Sequence, residues 1–107
     1  MEGNNLFIGV MSGTSLDGID IALCSINNNI IKTISAKEYS YDSEIKEDVL
    51  FAISNPISLE FMGTLNHKLA LMYTKALEEF ICDFEIEPKQ ISAIGLHGQT
   101  IWHSPDT

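Results

Sequence analysis

An α/β fold with a mixed β-sheet, its elements in the order β-β-β-α-α-β, is what this sequence predicts. Three observations lead there. Leu6 to Met11 is a near-continuous apolar run, and from Ile19 large aliphatic residues recur at every second position to Leu23. Two stretches beyond position 42 carry apolar residues at helical spacing. A short apolar run, Ile91 to Leu96, follows them, so a helical crossover returns the chain to the sheet.

The first run, LFIGVM, reads as a strand buried on both faces. It ends in Ser12-Gly13-Thr14-Ser15-Leu16-Asp17-Gly18, a turn-rich block. In the second strand, Ile19 to Ile26, Ile19, Ile21 and Leu23 share one face while Asp20, Ala22 and Cys24 share the other. The connection from the first strand is too short for a crossover, so the two pair antiparallel. Asn27-Asn28-Asn29 is a turn signal, because Asn tolerates positive φ. The third strand, Ile30 to Tyr41, alternates poorly, and Lys32, Lys37 and Glu38 suit a sheet edge, where charge discourages further pairing.

Asp42 or Ser43 can cap a first helix carrying Ile45, Val49, Leu50 and Ile53, and Asn55-Pro56 stops it. Ser58 can cap a longer one. Its apolar stripe is Leu59, Met62, Leu65, Leu69, Met72, Tyr73, Ala76, Leu77, Phe80 and Ile81, read as core. Glu85 to Pro88 is a loop, and Ile91 to Leu96 is a fourth strand, parallel to the first.

The chain has 107 residues, one domain's worth, and 45% of them are hydrophobic, enough for a real core. Six Lys and Arg against fifteen Asp and Glu give a net charge of −9. That field repels a phosphate backbone and an anionic lipid surface, so neither nucleic acid nor membrane is expected as a partner. A bound nucleotide stays open, since a local nest of N–H groups holds phosphate against an acidic average. The N-terminus has no basic region before its short apolar stretch, and no apolar run is long enough to span a bilayer. Cys24 and Cys82 lie far apart within apolar periodic segments and read as buried free thiols. A cytoplasmic location is the expectation.

Two polar, glycine-bearing loops therefore leave the carboxyl ends of the first and fourth strands. In sheets of this kind, ligands bind outside those ends. In the first loop, Gly13 and Gly18 let the backbone approach a ligand, hydroxyls and N–H groups can donate to phosphate, and Asp17 can hold Mg²⁺. A tight hairpin with Asp and Gly chosen for the turn accounts for the same residues. The block is neither a P-loop nor a dinucleotide fingerprint. In the second, His97 and Gln99 can hydrogen-bond sugar hydroxyls, or can belong to an ordinary loop. Zinc at His97 and His103 lacks further ligands at a recognised spacing.

Gly9-Val10-Met11-Ser12-Gly13-Thr14-Ser15-Leu16-Asp17-Gly18-Ile19-Asp20 resembles the N-terminal signature of the anhydro-N-acetylmuramic acid kinases. Ala93-Ile94-Gly95-Leu96-His97-Gly98-Gln99-Thr100-Ile101-Trp102-His103 is similar to that family's second block. The resemblance implies a ribonuclease-H-like fold of the sugar kinase, Hsp70 and actin superfamily, in which two such lobes close over ATP. It implies ATP-dependent conversion of 1,6-anhydro-N-acetylmuramic acid and water to N-acetylmuramic acid 6-phosphate, in cell-wall recycling. Residues 1–107 are then an incomplete N-terminal lobe with no second domain present. Gly13, Thr14, Ser15, Leu16, Asp17, Gly18, Ile19 and Asp20 become the ATP-phosphate segment, Asp17 a Mg²⁺ ligand, and His97 and Gln99 sugar-binding residues. The catalytic aspartate lies beyond position 107, so these residues alone are expected to be silent. The superfamily's usual Asp at the end of the first strand is missing, which leaves open which carboxylate handles Mg²⁺. A non-catalytic ATP-binding module of the Hsp70 or actin kind is the alternative, and HGQTIWH favours the kinase. Apolar surface on the first strand and the long helix predicts association into a homo-oligomer.

Overall fold

The computed structural model describes residues 5–12 and 18–97, the His97 side chain apart. The order of elements is β1 (Leu6–Met11), β2 (Ile19–Asn27), β3 (Ile30–Tyr39), α1 (Ser43–Ser54), α2 (Leu59–Asp83) and β4 (Ile91–His97). The six expected elements are present in the expected order. Boundaries differ: β3 ends at Tyr39 rather than Tyr41, β2 and β4 each run one residue further than expected, and Pro88–Gln90, of which Pro88 was expected in a loop, forms a single turn of 3₁₀ helix before β4. Pro at its start supplies the fixed φ that such a turn needs.

The sheet order is β3-β2-β1-β4. β1 pairs antiparallel with β2 and parallel with β4, and β3 is an edge strand, as its charges suggested. The β2–β3 hairpin closes through Asn28 and Asn29 at φ 51° and 67°. Positive φ at both central positions makes a turn whose twist matches the strands.

Both helices begin where the sequence placed them. Asp42 accepts from the Glu44 and Ile45 N–H groups, and Ser58 from the Phe61 N–H. The end of α2 is less obvious. Glu85 N–H donates to the Cys82 carbonyl and Ile86 N–H to the Ile81 carbonyl, the pattern of a Schellman closure. The position that glycine usually fills is taken by Glu85, at φ 52°.

The helices pack on one face of the sheet. Ile8, Val10, Ile19, Ile21, Leu23 and Tyr39 meet Ile45, Val49, Leu65, Leu69, Tyr73 and Phe80 in a single core. Three expectations are corrected here. β1 is buried on one face only: Ile8 and Val10 are covered, whereas Met11 is 55% exposed. In α2, Leu59 and Met62 are exposed, and in α1 so are Leu50 and Ile53, with Ala52 buried in their place. Ile45, Val49 and Ala52 define the inward face of α1, with Leu50 and Ile53 one position round from it on the flank, and Leu59 stands at the very start of α2. Cys82 is exposed and Cys24 half-buried; both are free, but neither is a core thiol.

Polar ties fix the outer edge. The Asp83 carboxylate accepts from the Tyr39 hydroxyl at 2.8 Å and from the Lys37 ammonium at 3.0 Å. Those bonds, Tyr39's first, hold Asp83 below the usual carboxylate range. Burial pushes the Tyr39, Tyr41 and Tyr73 hydroxyls up. For such groups the folded chain holds its proton more tightly than the unfolded chain. The stability this adds is complete below the ordinary tyrosine value of 10 and is lost as pH rises through the folded values.

Two outcomes follow for the fold. Glu85→Gly should stabilise the chain by about 1 kcal/mol, read as a raised Tm, because the left-handed conformation costs a side-chain-bearing residue that much. Phenolate absorbance should stay low at pH 10 and rise at higher pH together with loss of the folded circular dichroism. Half-ionisation at pH 10 with the fold intact would contradict the burial of the three tyrosines.

Candidate functional site

Strand register decides which residues meet. Parallel pairing runs from Phe7 opposite Ala93 to Met11 opposite His97, so β1 and β4 finish level with each other. β2 begins at the same edge, with Asp20 opposite Met11, and β3 ends there, with Glu38 opposite Asp20. One row of the sheet, Glu38–Asp20–Met11–His97, thus forms a rim. The chain leaves this rim after Met11 and again after His97, the two points after which the glycine-bearing segments of the sequence follow.

Of the residues expected to hold phosphate, Gly13, Thr14, Ser15, Leu16 and Asp17 lie outside the described residues, as does Gln99. Gly18, Ile19 and Asp20 are described. Ile19 is fully buried, so its side chain serves the core. Asp20 is exposed at the rim. His97 is the last residue of β4.

Gly18 is buried, and the reason for glycine is space. A β-carbon there would sit 2.7 Å from Cγ and Cδ of Glu38 and collide with its carboxylate. The Glu38 side chain therefore lies against the end of the expected phosphate turn. It also stands opposite Asp20 in register, and like charges directly opposite each other weaken a sheet. A cation held at this rim would relieve that repulsion. Among the described residues, no group of three or more potential ligands forms a complete metal site.

On the other side of the turn, Ser12 is 1% exposed, and its Oγ lies 2.5 Å from the hydroxyl of Tyr73 on α2. Sequence reasoning put Tyr73 in the core stripe and Glu38 on an edge, and both are there. It missed that each also touches the chain beside the loop. The available signal was the Tyr73 hydroxyl, since a buried tyrosine needs a polar partner.

The sheet face away from the helices carries a second row, Ala36–Ala22–Gly9–Gly95. With Met11, Asp20 and Leu96 these small residues border an open depression of roughly 650 Å³. Among the described residues, no neighbouring atom lies within 4 Å of where a β-carbon on Gly9 or Gly95 would stand.

Residues 5–107 match the family model of anhydro-N-acetylmuramic acid kinase. The chain belongs to the anhydro-N-acetylmuramic acid kinase family. The family member of Sulfurimonas denitrificans is 45% identical over 97% of this chain. That of Pasteurella multocida is 40% identical over 99% of it, and that of a Sulfurovum species 37% identical over 92%. The chain spans 28% of the length of each of these relatives. The match includes both glycine-bearing segments, residues 12–18 and 97–100.

The contact between Gly18 and Glu38 has a measurable consequence. Glu38 is exposed and flexible, so Gly18→Ala should cost about 1 kcal/mol as the carboxylate swings aside. A double-mutant cycle with Glu38→Ala, followed by urea melts, should return most of that cost as coupling. A large loss that Glu38→Ala leaves untouched would place the constraint on Gly18 elsewhere.

Proposed function

We propose that these residues form part of the nucleotide-handling lobe of a sugar kinase. The lobe is of the ribonuclease-H-like, actin-like kind. The reaction is the ATP-dependent conversion of 1,6-anhydro-N-acetylmuramic acid and water to N-acetylmuramic acid 6-phosphate. The observation that carries this reading is the family match over residues 5–107, which spans both loops leaving the Met11–His97 edge.

Phosphoryl transfer asks the protein for position and charge more than for covalent chemistry. In this reading, residues 13–20 present backbone N–H groups and hydroxyls to the ATP phosphates, and the glycines allow close approach. Mg²⁺, when bound, supplies countercharge. The donor set suits it, because Asp17 and Asp20 offer the hard oxygens that this ion prefers. Asp20 and Glu38 make the rim acidic, so the phosphates approach it favourably only as their charge is neutralised. His97, at the end of β4, and Gln99, two residues on in the sequence, would donate to or accept from the sugar hydroxyls and hold the acceptor beside the phosphates. The general base that activates water belongs to a part of the protein that these residues do not contain. The setting is the cytoplasmic recycling of cell-wall sugars.

The test uses a protein of the relatives' full length that begins with these residues. It should form the 6-phosphate only when ATP, Mg²⁺ and the anhydro sugar are all supplied. Asp17→Asn should lower turnover at least about tenfold and raise the Mg²⁺ concentration needed for half-maximal rate, as expected when a charged ligand is lost. ATP hydrolysis indifferent to the sugar would remove the kinase reading. Unchanged Mg²⁺ dependence in Asp17→Asn would remove the metal role alone.

A further inference from the structure

We infer that Tyr73 is a positioning residue for the phosphate turn and acts through Ser12. The inference rests on the kinase reading above and adds to it a residue of α2, far from the turn in sequence.

Ser12 is the hinge point. It follows directly on β1, whose backbone is held on both sides, and it directly precedes the turn. Its side chain is 1% exposed, and its Oγ lies 2.5 Å from the Tyr73 hydroxyl. Tyr73 is itself 5% exposed and sits in the middle of α2, with its ring in the core. Its neighbours along the buried stripe are Leu65, Leu69, Ala76 and Phe80, all apolar. A phenylalanine would fill the same space, so the hydroxyl is the part of Tyr73 that packing does not explain. Burial pushes that hydroxyl further above the ordinary tyrosine value, so it is present as a neutral O–H at neutral pH.

The tether is rigid at its far end. α2 is capped by Ser58, closed by the bonds to Ile81 and Cys82, and tied to β3 through Asp83. Groups that receive phosphate must be held to within about half an ångström to work well. Ser12 sets the direction in which the chain leaves the sheet, and Tyr73 fixes Ser12 to the helix layer. α2 therefore does more than cover the sheet: one hydroxyl on it sets where the turn begins.

A structural bond of similar kind elsewhere provides the control. Tyr39 donates to Asp83 at 2.8 Å, also between sheet and α2, but at the edge strand. Four variants of the full-length kinase decide the matter: Tyr73→Phe, Ser12→Ala, Ser12→Thr and Tyr39→Phe. Tyr73→Phe and Ser12→Ala should each raise KM for ATP about fivefold, the scale of one lost hydrogen bond. KM for the sugar should stay the same, and the double variant should be no worse than either single. Ser12→Thr, which keeps the hydroxyl, should restore KM for ATP. Tyr39→Phe should lower Tm without moving KM for ATP. If Tyr73→Phe does not fold, Ser12→Ala and its rescue by Ser12→Thr carry the test. The proposal is overturned if Tyr73→Phe or Ser12→Ala lowers Tm as Tyr39→Phe does and leaves KM for ATP unchanged. Absence of sugar-dependent turnover in the unaltered protein would instead show that the kinase reading fails, and this inference would fall with it.

Discussion

β1 pairs with β4 in parallel, and that pairing demands that everything between them return to the starting edge of the sheet. A hairpin cannot do this, because it reverses direction; only a crossover can. α1 and α2 are the crossover, and their length follows from the need to span the sheet and bury its apolar face. Ile8 and Val10 on β1, both buried, are the residues that this face covers. Once β1 and β4 are parallel and in register, Met11 and His97 must end at the same level. That the strand ends preceding the two polar segments lie side by side is thus a consequence of topology.

The same constraint explains the division of labour across the sheet. The helix side is filled by large aliphatic and aromatic side chains. The opposite side carries Ala36, Ala22, Gly9 and Gly95 in one row, and Asp20 and Glu38 at the rim. Charge at the rim costs the sheet some stability, since Asp20 and Glu38 face each other. Gly18 lets the backbone pass beneath Glu38. Local choices that a purely structural sheet would avoid are concentrated where the chain is expected to meet a charged ligand.

Much of this was legible in the residues. Ile19, Ile21 and Leu23 alternate with Asp20, Ala22 and Cys24, and a half-covered strand leaves that trace. Asn28 and Asn29 marked a turn with positive φ, and Asp42 and Ser58 marked helix starts. What misled was of two kinds. Leu6 to Met11 is apolar throughout, and such a run looks the same whether one face or two are covered; Met11 shows that only one is. Leu59, Met62, Leu50 and Ile53 continue the helical period, yet period says nothing about how far the partner surface extends. Side-chain contacts between distant residues left no periodic trace at all. Tyr73 reads as one more member of a core stripe until its hydroxyl is found at Ser12. The two loop motifs were legible by resemblance to a family, whereas spacing alone favoured a tight hairpin as the account of Ser12 to Gly18.

On the proposed reading, nucleotide phosphates held between β1 and β2 would give the rim, its acidic residues and its tethered serine a common purpose. Crystals of a full-length protein carrying these residues, grown with a non-hydrolysable ATP analogue and Mg²⁺, test this directly. The account predicts phosphate oxygens within hydrogen-bond distance of backbone N–H groups in residues 13–18. A triphosphate seated elsewhere, with that bend empty, would contradict it.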